Sequence, residues 1–240
     1  MSLTASGALL GRHPEAALVS GAQPEFFSYD SNYQAGWDAY LTRFDRYRLG
    51  RAIGEASTSY SRIRRHPAAP DRIKNHVPWA RIVYMVRHPL ERIEAAYIEH
   101  LCTPGGVTFT SINEAILSQP TIVDSSRYWE VFDAYRRRFE ESQIMVLWFE
   151  EFVTETARVF QEVCRFLGID DRVVPRVEDG RIYTHRAAAR MAGLGRGHLR
   201  LNTIWDPSLR QAVVEQLRED NCRLLQCFGR PLNYWGKDLY

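Results

Sequence analysis

RIVYMVRHPLERIEAAY, residues 81 to 97, is the stretch whose reading decides the fold. Arg81 to Val86 is a continuous β-rich run without polar alternation, as in a strand buried on both faces of a parallel sheet. Pro89 then opens a helix at its first turn, where the missing proline N–H leaves nothing unpaired and the fixed φ suits the helix. The helical pattern continues to about Leu101. A strand that turns directly into a helix is half of a parallel βαβ unit, and Arg87 stands in the turn between the two.

A second run of the same character, Gln143 to Phe149 (QIMVLWF), is the other clear buried strand, and briefer strands are expected over Ala16 to Ser20 and Arg51 to Glu55. Tyr33, Trp37, Tyr40, Leu41 and Phe44 recur at helical spacing, which predicts one amphipathic helix from Asn32 to Phe44 with an aromatic stripe facing the core. Further helices are expected over Ala5 to Gly11, Ala69 to Val77, from near Ser111, and from Ser125 to Phe139. Thr156 to Leu167 is stopped by Gly168, and Pro207 to Phe228 by Gly229 and Pro231. Strands alternating with helices predict an α/β fold with a mostly parallel sheet. Glu178 to Arg200 follows neither period and reads as a long, basic loop. No repeat or low-complexity linker interrupts the chain, so one domain over residues 1–240 is expected.

With 240 residues, 45% hydrophobic and 25% charged, the chain can bury one sizeable core, and its composition is that of neither a disordered nor a collagenous protein. The formal charge is +2 and no block of like charges occurs, which leaves no electrostatic case for nucleic acid as a partner. Cys102, Cys164, Cys222 and Cys227 form no CxxC and have no His pair nearby, which argues against a metal site or a disulfide framework and for a reduced, cytoplasmic setting. The N-terminal stretch MSLTASGALLGRHPEAAL has neither a basic n-region nor an apolar run of signal or anchor length, so no membrane span is expected.

Ligands of open parallel sheets bind beyond the carboxyl ends of the strands, and Glu55 and Arg87 fall at such ends. Arg87 also precedes the N-terminus of the helix opened by Pro89, whose free N–H groups and dipole favour an anion. A phosphate on Arg87 and a surface ion pair between Arg87 and Glu91 suit the spacing equally. For Glu55 the plain reading is a strand-end carboxylate that caps N–H groups or pairs with an arginine.

The run from Arg81 resembles the strand-turn-helix of PAPS-dependent sulfotransferases, in which an R-x-P-x-x-R-x-x-S-x-Y pattern binds the 3′-phosphate of PAPS. Arg87, Pro89, Arg92 and Tyr97 fall at the matching places, and Ala95 stands where the family has serine. GEASTSYSRIRRHPAAPDRI, from Gly54, is similar to the family's G-E-x-S-x-x-Y segment and the helix after it, with Glu55 at the glutamate. QPEFFSYDSNYQAGWDAYLTRF from Gln23, IMVLWFEEFVTETARVFQEVCRFLGI from Ile144 and DNCRLLQCFGRPLNYW from Asp220 are similar to its bacterial and heparan-type branch. The resemblance therefore runs from about His13 to Trp235.

What it implies is a three-layer, P-loop-hydrolase-like fold with a central, mostly parallel sheet flanked by helices. The implied reaction moves a sulfuryl group from PAPS to a hydroxyl or amine of a sugar or small-molecule acceptor, with PAP as leaving group and no metal. Glu55 would be the general base, Arg87 would hold the 3′-phosphate, and Ala95 would lie at the same site. The loop Arg181 to Arg190 would supply Arg186 to the phosphate and Tyr183 to the adenine, although an exposed loop tyrosine is the plainer reading of Tyr183.

The family's donor site opens with a strand and a K-x-G-T-T loop. With GALLGRHP aligned to the helix after that loop, Met1 to Ser6 take its last positions, no lysine precedes Lys74, and Ala22 replaces the lysine of the K-E-P-x-F-F segment. The N-terminal strand and phosphate loop are thus expected to be absent and the donor site depleted. An alternative function follows, that of a catalytically impaired sulfotransferase-fold protein acting as a binding or partner module.

Overall fold

A computed structural model describes residues 9–19, 23–47, 50–102, 109–174 and 202–239. Ala22, the basic loop and its two candidates Tyr183 and Arg186 lie outside the described residues. Along the chain run β1 (Ala16–Leu18), α1 (Asp30–Gln34), α2 (Trp37–Leu41), β2 (Ala52–Gly54), α3 (Ala69–His76), β3 (Ile82–Val86) and α4 (Pro89–Cys102). There follow α5 (Ile112–Ser118), α6 (Thr121–Asp124), α7 (Tyr128–Arg136), β4 (Ile144–Trp148), α8 (Phe149–Thr154), α9 (Thr156–Leu167) and α10 (Pro207–Cys227). The chain divides into two compact units, Met1–Val86 with Asp133–Ile182 and Arg87–Phe132 with Tyr183–Tyr240.

In the first unit β1 pairs parallel with β2, and β3 parallel with β4. The parallel pairing is what the unbroken apolar runs predict. Among the described residues the strands form two separate pairs, with no ladder joining β2 to β3, in place of one continuous central sheet. Side chains alternate along a strand, so Val83 and Met85 share a face with their register partners Met145 and Leu147. That face packs, with Ala16 and Leu18 of β1 and Ala52 of β2, on a core holding Phe152, Val159, Phe160, Val163 and Cys164. The last four sit at i, i+1, i+4 and i+5 on α9, the stripe a core-facing helix presents, and full burial of each larger one contributes about 1.5–3 kcal/mol. Gly168 ends α9 at φ 74°, the left-handed conformation that lets Ile169 N–H reach the Cys164 carbonyl at 3.0 Å and close the helix.

The single helix expected from Asn32 to Phe44 is two short ones. Gly36 at φ 95° breaks it, so that Tyr33 on α1 and Trp37 and Tyr40 on α2 turn toward Phe26 from both sides of the bend. Phe26 and Tyr40 stack at 4.3 Å.

The second unit is helical. Ile93, Ala96, Tyr97 and Ile98 of α4 are buried, as are Val213, Val214, Leu217, Leu224 and Leu225 of α10. Asp206 caps α10 by accepting from Leu209 N–H at 2.8 Å, Pro207 occupies its first turn, and Gly229 at φ 62° closes it. The helix expected from Ser125 begins instead at Tyr128. Asp220 of α10 accepts from Trp129 and Glu130 N–H, both at 2.9 Å, and so satisfies donors at that helix start from 91 and 90 residues away.

Candidate active site

Glu55 follows β2 directly, so the strand's end fixes where its carboxylate emerges. Three hydroxyls converge on it. Tyr40 on α2 and Tyr60 in the turn Thr58–Ser61 both donate to Oε1, at 2.8 and 2.5 Å, and Ser57 donates to Oε2 at 3.0 Å. Among the described residues no cation stands within ion-pair distance of Glu55. Neither a strand-end arginine pair nor an N–H cap describes it; its partners are hydroxyls. Burial raises the Glu55 carboxyl above the ordinary glutamate range, while the hydroxyls of Tyr60, Tyr40 and Ser57 and the more distant charge of Arg43 pull it down. The same burial, with the Glu55 charge behind it, raises both tyrosines, so that they remain donors at any physiological pH.

These hydroxyls are held in turn. Ser57 Oγ accepts Glu25 N–H at 3.0 Å, and Tyr60 Oη accepts Phe27 N–H at 3.4 Å. Gln23 Oε1 accepts from both the N–H and the hydroxyl of Thr58, at 2.7 and 2.8 Å, and Tyr135 donates to the Tyr60 carbonyl at 3.0 Å. The stretch QPEFF thus braces Ser57 and the turn that carries Tyr60, with Glu25 held at φ 49°.

Arg87 lies in the second unit, immediately before α4. Its guanidinium forms the ion pair with Glu91 that the spacing allowed as one of two readings. It also shares surroundings with Arg92: both charges bear on the buried hydroxyl of Tyr128, which burial nonetheless raises well above the ordinary tyrosine value. Ser126, fully buried, donates to the Pro89 carbonyl at 2.8 Å and ties the segment before α7 to the first turn of α4. Ala95 is 2% exposed on α4, a buried methyl where the resembling pattern has a hydroxyl.

Tyr40 and Tyr60, which bond Glu55, and Tyr128, near Arg87 and Arg92 in the second unit, are residues that the sequence reading did not single out. Tyr60 was within reach of it, as the closing tyrosine of GEASTSY. Tyr40 belongs to the helical aromatic stripe, and nothing in the stripe's periodicity separates a core ring from one whose hydroxyl meets a carboxylate. Among the described residues no group of His, Cys, Asp and Glu is placed to hold a metal ion, and no helix is long and apolar enough to cross a membrane.

The first unit thus carries a half-buried, hydroxyl-bound glutamate at the end of β2, and the second carries Arg87 in the turn before α4. Residues 13–172 match the sequence profile of the sulfotransferase family, more than half of the chain, and the chain belongs to that family. Its structure is similar to the crystal structure of a sulfotransferase from Alicyclobacillus acidocaldarius. The TM-score is 0.73 at 24% identity, over 96% of this chain and 92% of that one, a likeness of fold. Family and fold together support sulfuryl transfer as the class of activity.

Proposed function

We propose that the chain transfers the sulfuryl group of PAPS to a hydroxyl or amine of a sugar or small-molecule acceptor, with Glu55 as general base and Arg87 on the donor's 3′-phosphate. The observation that supports this best is the setting of Glu55, a carboxylate at a strand end held by three hydroxyls and, among the described residues, no cation at ion-pair distance. Burial strengthens it as a base, and the hydroxyls orient it without neutralising it.

In the step itself the acceptor's oxygen or nitrogen forms its bond to sulfur while the bond from sulfur to the donor's phosphate oxygen breaks. The electron pair of that bond leaves on PAP, and the acceptor's proton passes to Glu55. Charge developing on the sulfuryl and leaving oxygens calls for nearby cations or N–H donors, as in phosphoryl transfer. Arg87 meets the 3′-phosphate by exchanging its Glu91 partner for it. An exposed ion pair at this spacing contributes about 0.3–0.5 kcal/mol, against about 1.5–3 kcal/mol for a charge-assisted bond to phosphate, so the exchange favours the donor. Tyr183 and Arg186 complete the adenine and 3′-phosphate end, and Ala95 and Ala22 weaken donor binding by the partners they lack. The scaffold in this proposal is one sulfotransferase domain of three layers, P-loop-like, working in a reducing, cytoplasmic setting to which the free thiols of Cys164, Cys222 and Cys227 are suited.

Incubation with PAPS and a panel of hydroxyl- and amine-bearing acceptors tests the proposal. PAP and a sulfated product are expected together; calorimetry that finds no binding of PAP at millimolar concentration overturns it.

A further inference from the structure

The hydroxyls around Glu55 are unevenly shared between its two oxygens. An ionised carboxylate offers about four acceptor positions, two on each oxygen. Tyr40 and Tyr60 take both positions on Oε1, and Ser57 takes one on Oε2. We propose that Tyr40 and Tyr60 are positioning residues that occupy Oε1 completely, so that the acceptor's proton is received on Oε2, where one position is open among the described residues. The proposal rests on the reading of Glu55 as the base.

The direction of two of these bonds is fixed by what each hydroxyl accepts. Ser57 Oγ already accepts the Glu25 N–H, and Tyr60 Oη the Phe27 N–H, so each has its own hydrogen available for Glu55. Glu25 reaches Ser57 from a left-handed backbone that costs a non-glycine residue on the order of 1 kcal/mol or more, and among the described residues it is alone in this. The conformation is held by its carbonyl, which accepts from Ser28 N–H at 3.2 Å and from Asn32 Nδ2 at 3.4 Å. Tyr60 is anchored by Tyr135 through its carbonyl, and the Tyr40 ring is stacked on Phe26. Phenylalanine would fill both ring positions as well. The phenol oxygens therefore serve hydrogen bonds and not the packing, Tyr40's to the carboxylate and Tyr60's to the carboxylate and to Phe27 N–H.

Among the described residues the charged and titratable groups facing Glu55 are few. Arg43, three residues beyond Tyr40 in the helical turn Thr42–Tyr47, favours the anion, and the Tyr135 hydroxyl lies within its field from α7. With so little else to hold the charge, each phenol bond is expected to matter individually.

Tyr40→Phe and Tyr60→Phe keep the rings and remove one bond each from Oε1. In turnover of PAPS with an accepted acceptor, each variant is expected to move the acid limb of the kcat/KM profile upward by about one pH unit. Below that limb kcat/KM falls about tenfold, the effect of one charge-assisted bond to a carboxylate. A second readout needs no activity: the melting temperature of each protein minus that of its Glu55→Gln counterpart, followed against pH. Because the folded carboxyl is raised, this difference is largest below the unfolded value and declines as pH rises through the folded one. In the tyrosine variants the decline extends to higher pH. Wild-type profiles in both readouts overturn the proposal. Should Glu55→Gln keep full turnover, the base reading fails, while the melting profiles still report whether the phenols hold the carboxylate. Where one tyrosine variant does not fold, the other is read by the same two profiles and decides in its place.

Discussion

Asp220 joins the start of α7 to the middle of α10, and its titration gives the second unit a pH-dependent stability. Its two oxygens each accept one backbone N–H at 2.9 Å, an arrangement at a helix start that favours the anion. Burial acts the other way and is the larger influence, lifting the carboxyl from its ordinary 3.8 to about 6. At ~1.4 kcal/mol per pH unit this displacement corresponds to about 3 kcal/mol, a ceiling because an ionised Asp220 can move toward water. A folded value above the unfolded one means stability that is fully present below about pH 4 and lost as pH rises through about 6. Asp220→Asn keeps one acceptor oxygen and does not titrate. Denaturant melts of both proteins from pH 4 to pH 7.5 should show the wild type losing up to about 3 kcal/mol relative to the variant, most of it between pH 4 and 6.5. A difference that stays flat, or that moves in favour of the wild type as pH rises, would refute the reasoning and give the two N–H bonds the larger share.

Glu91→Gln releases Arg87 from its ion pair and should tighten PAP binding about twofold by calorimetry, whereas Arg87→Ala should weaken it tenfold or more; equal affinities in all three proteins would remove Arg87 from the donor site. Gly168→Ala forces a side chain into a left-handed position, with its Cβ 3.2 Å from the Arg81 guanidinium. A loss of about 1 kcal/mol is expected, read as a melting temperature lower by about 2–4 °C, and an unchanged melting temperature would contradict the role given to Gly168 in closing α9.

The elements best read from sequence are those whose cause is local. β3 and β4 lie within one residue of their apolar runs, because an unbroken apolar run has no polar alternation to blur its ends. α9 has the expected bounds and α10 differs by one residue, since Gly168, Pro207 and Gly229 act at the positions where they stand. The misreadings have distant or conformational causes. The α1–α2 bend depends on Gly36 taking φ 95°, which hydrophobic spacing does not record. The start of α7 depends on Asp220, far along the chain. The positions of Glu55 and Arg87, directly after β2 and β3, were legible because apolar strand runs end at each of them. The hydroxyl shell of Glu55 was only half legible, because Tyr60 belongs to the same short segment while Tyr40 arrives by packing.

The central claim, that Glu55 takes the acceptor's proton in sulfuryl transfer from PAPS, is tested most directly by the single-turnover rate of sulfated product for wild type and Glu55→Gln, at saturating PAPS and with both proteins shown to be folded. General-base catalysis predicts a fall on the order of 10²–10⁴-fold with PAP binding unchanged. A Glu55→Gln protein that turns over within about threefold of wild type would contradict it.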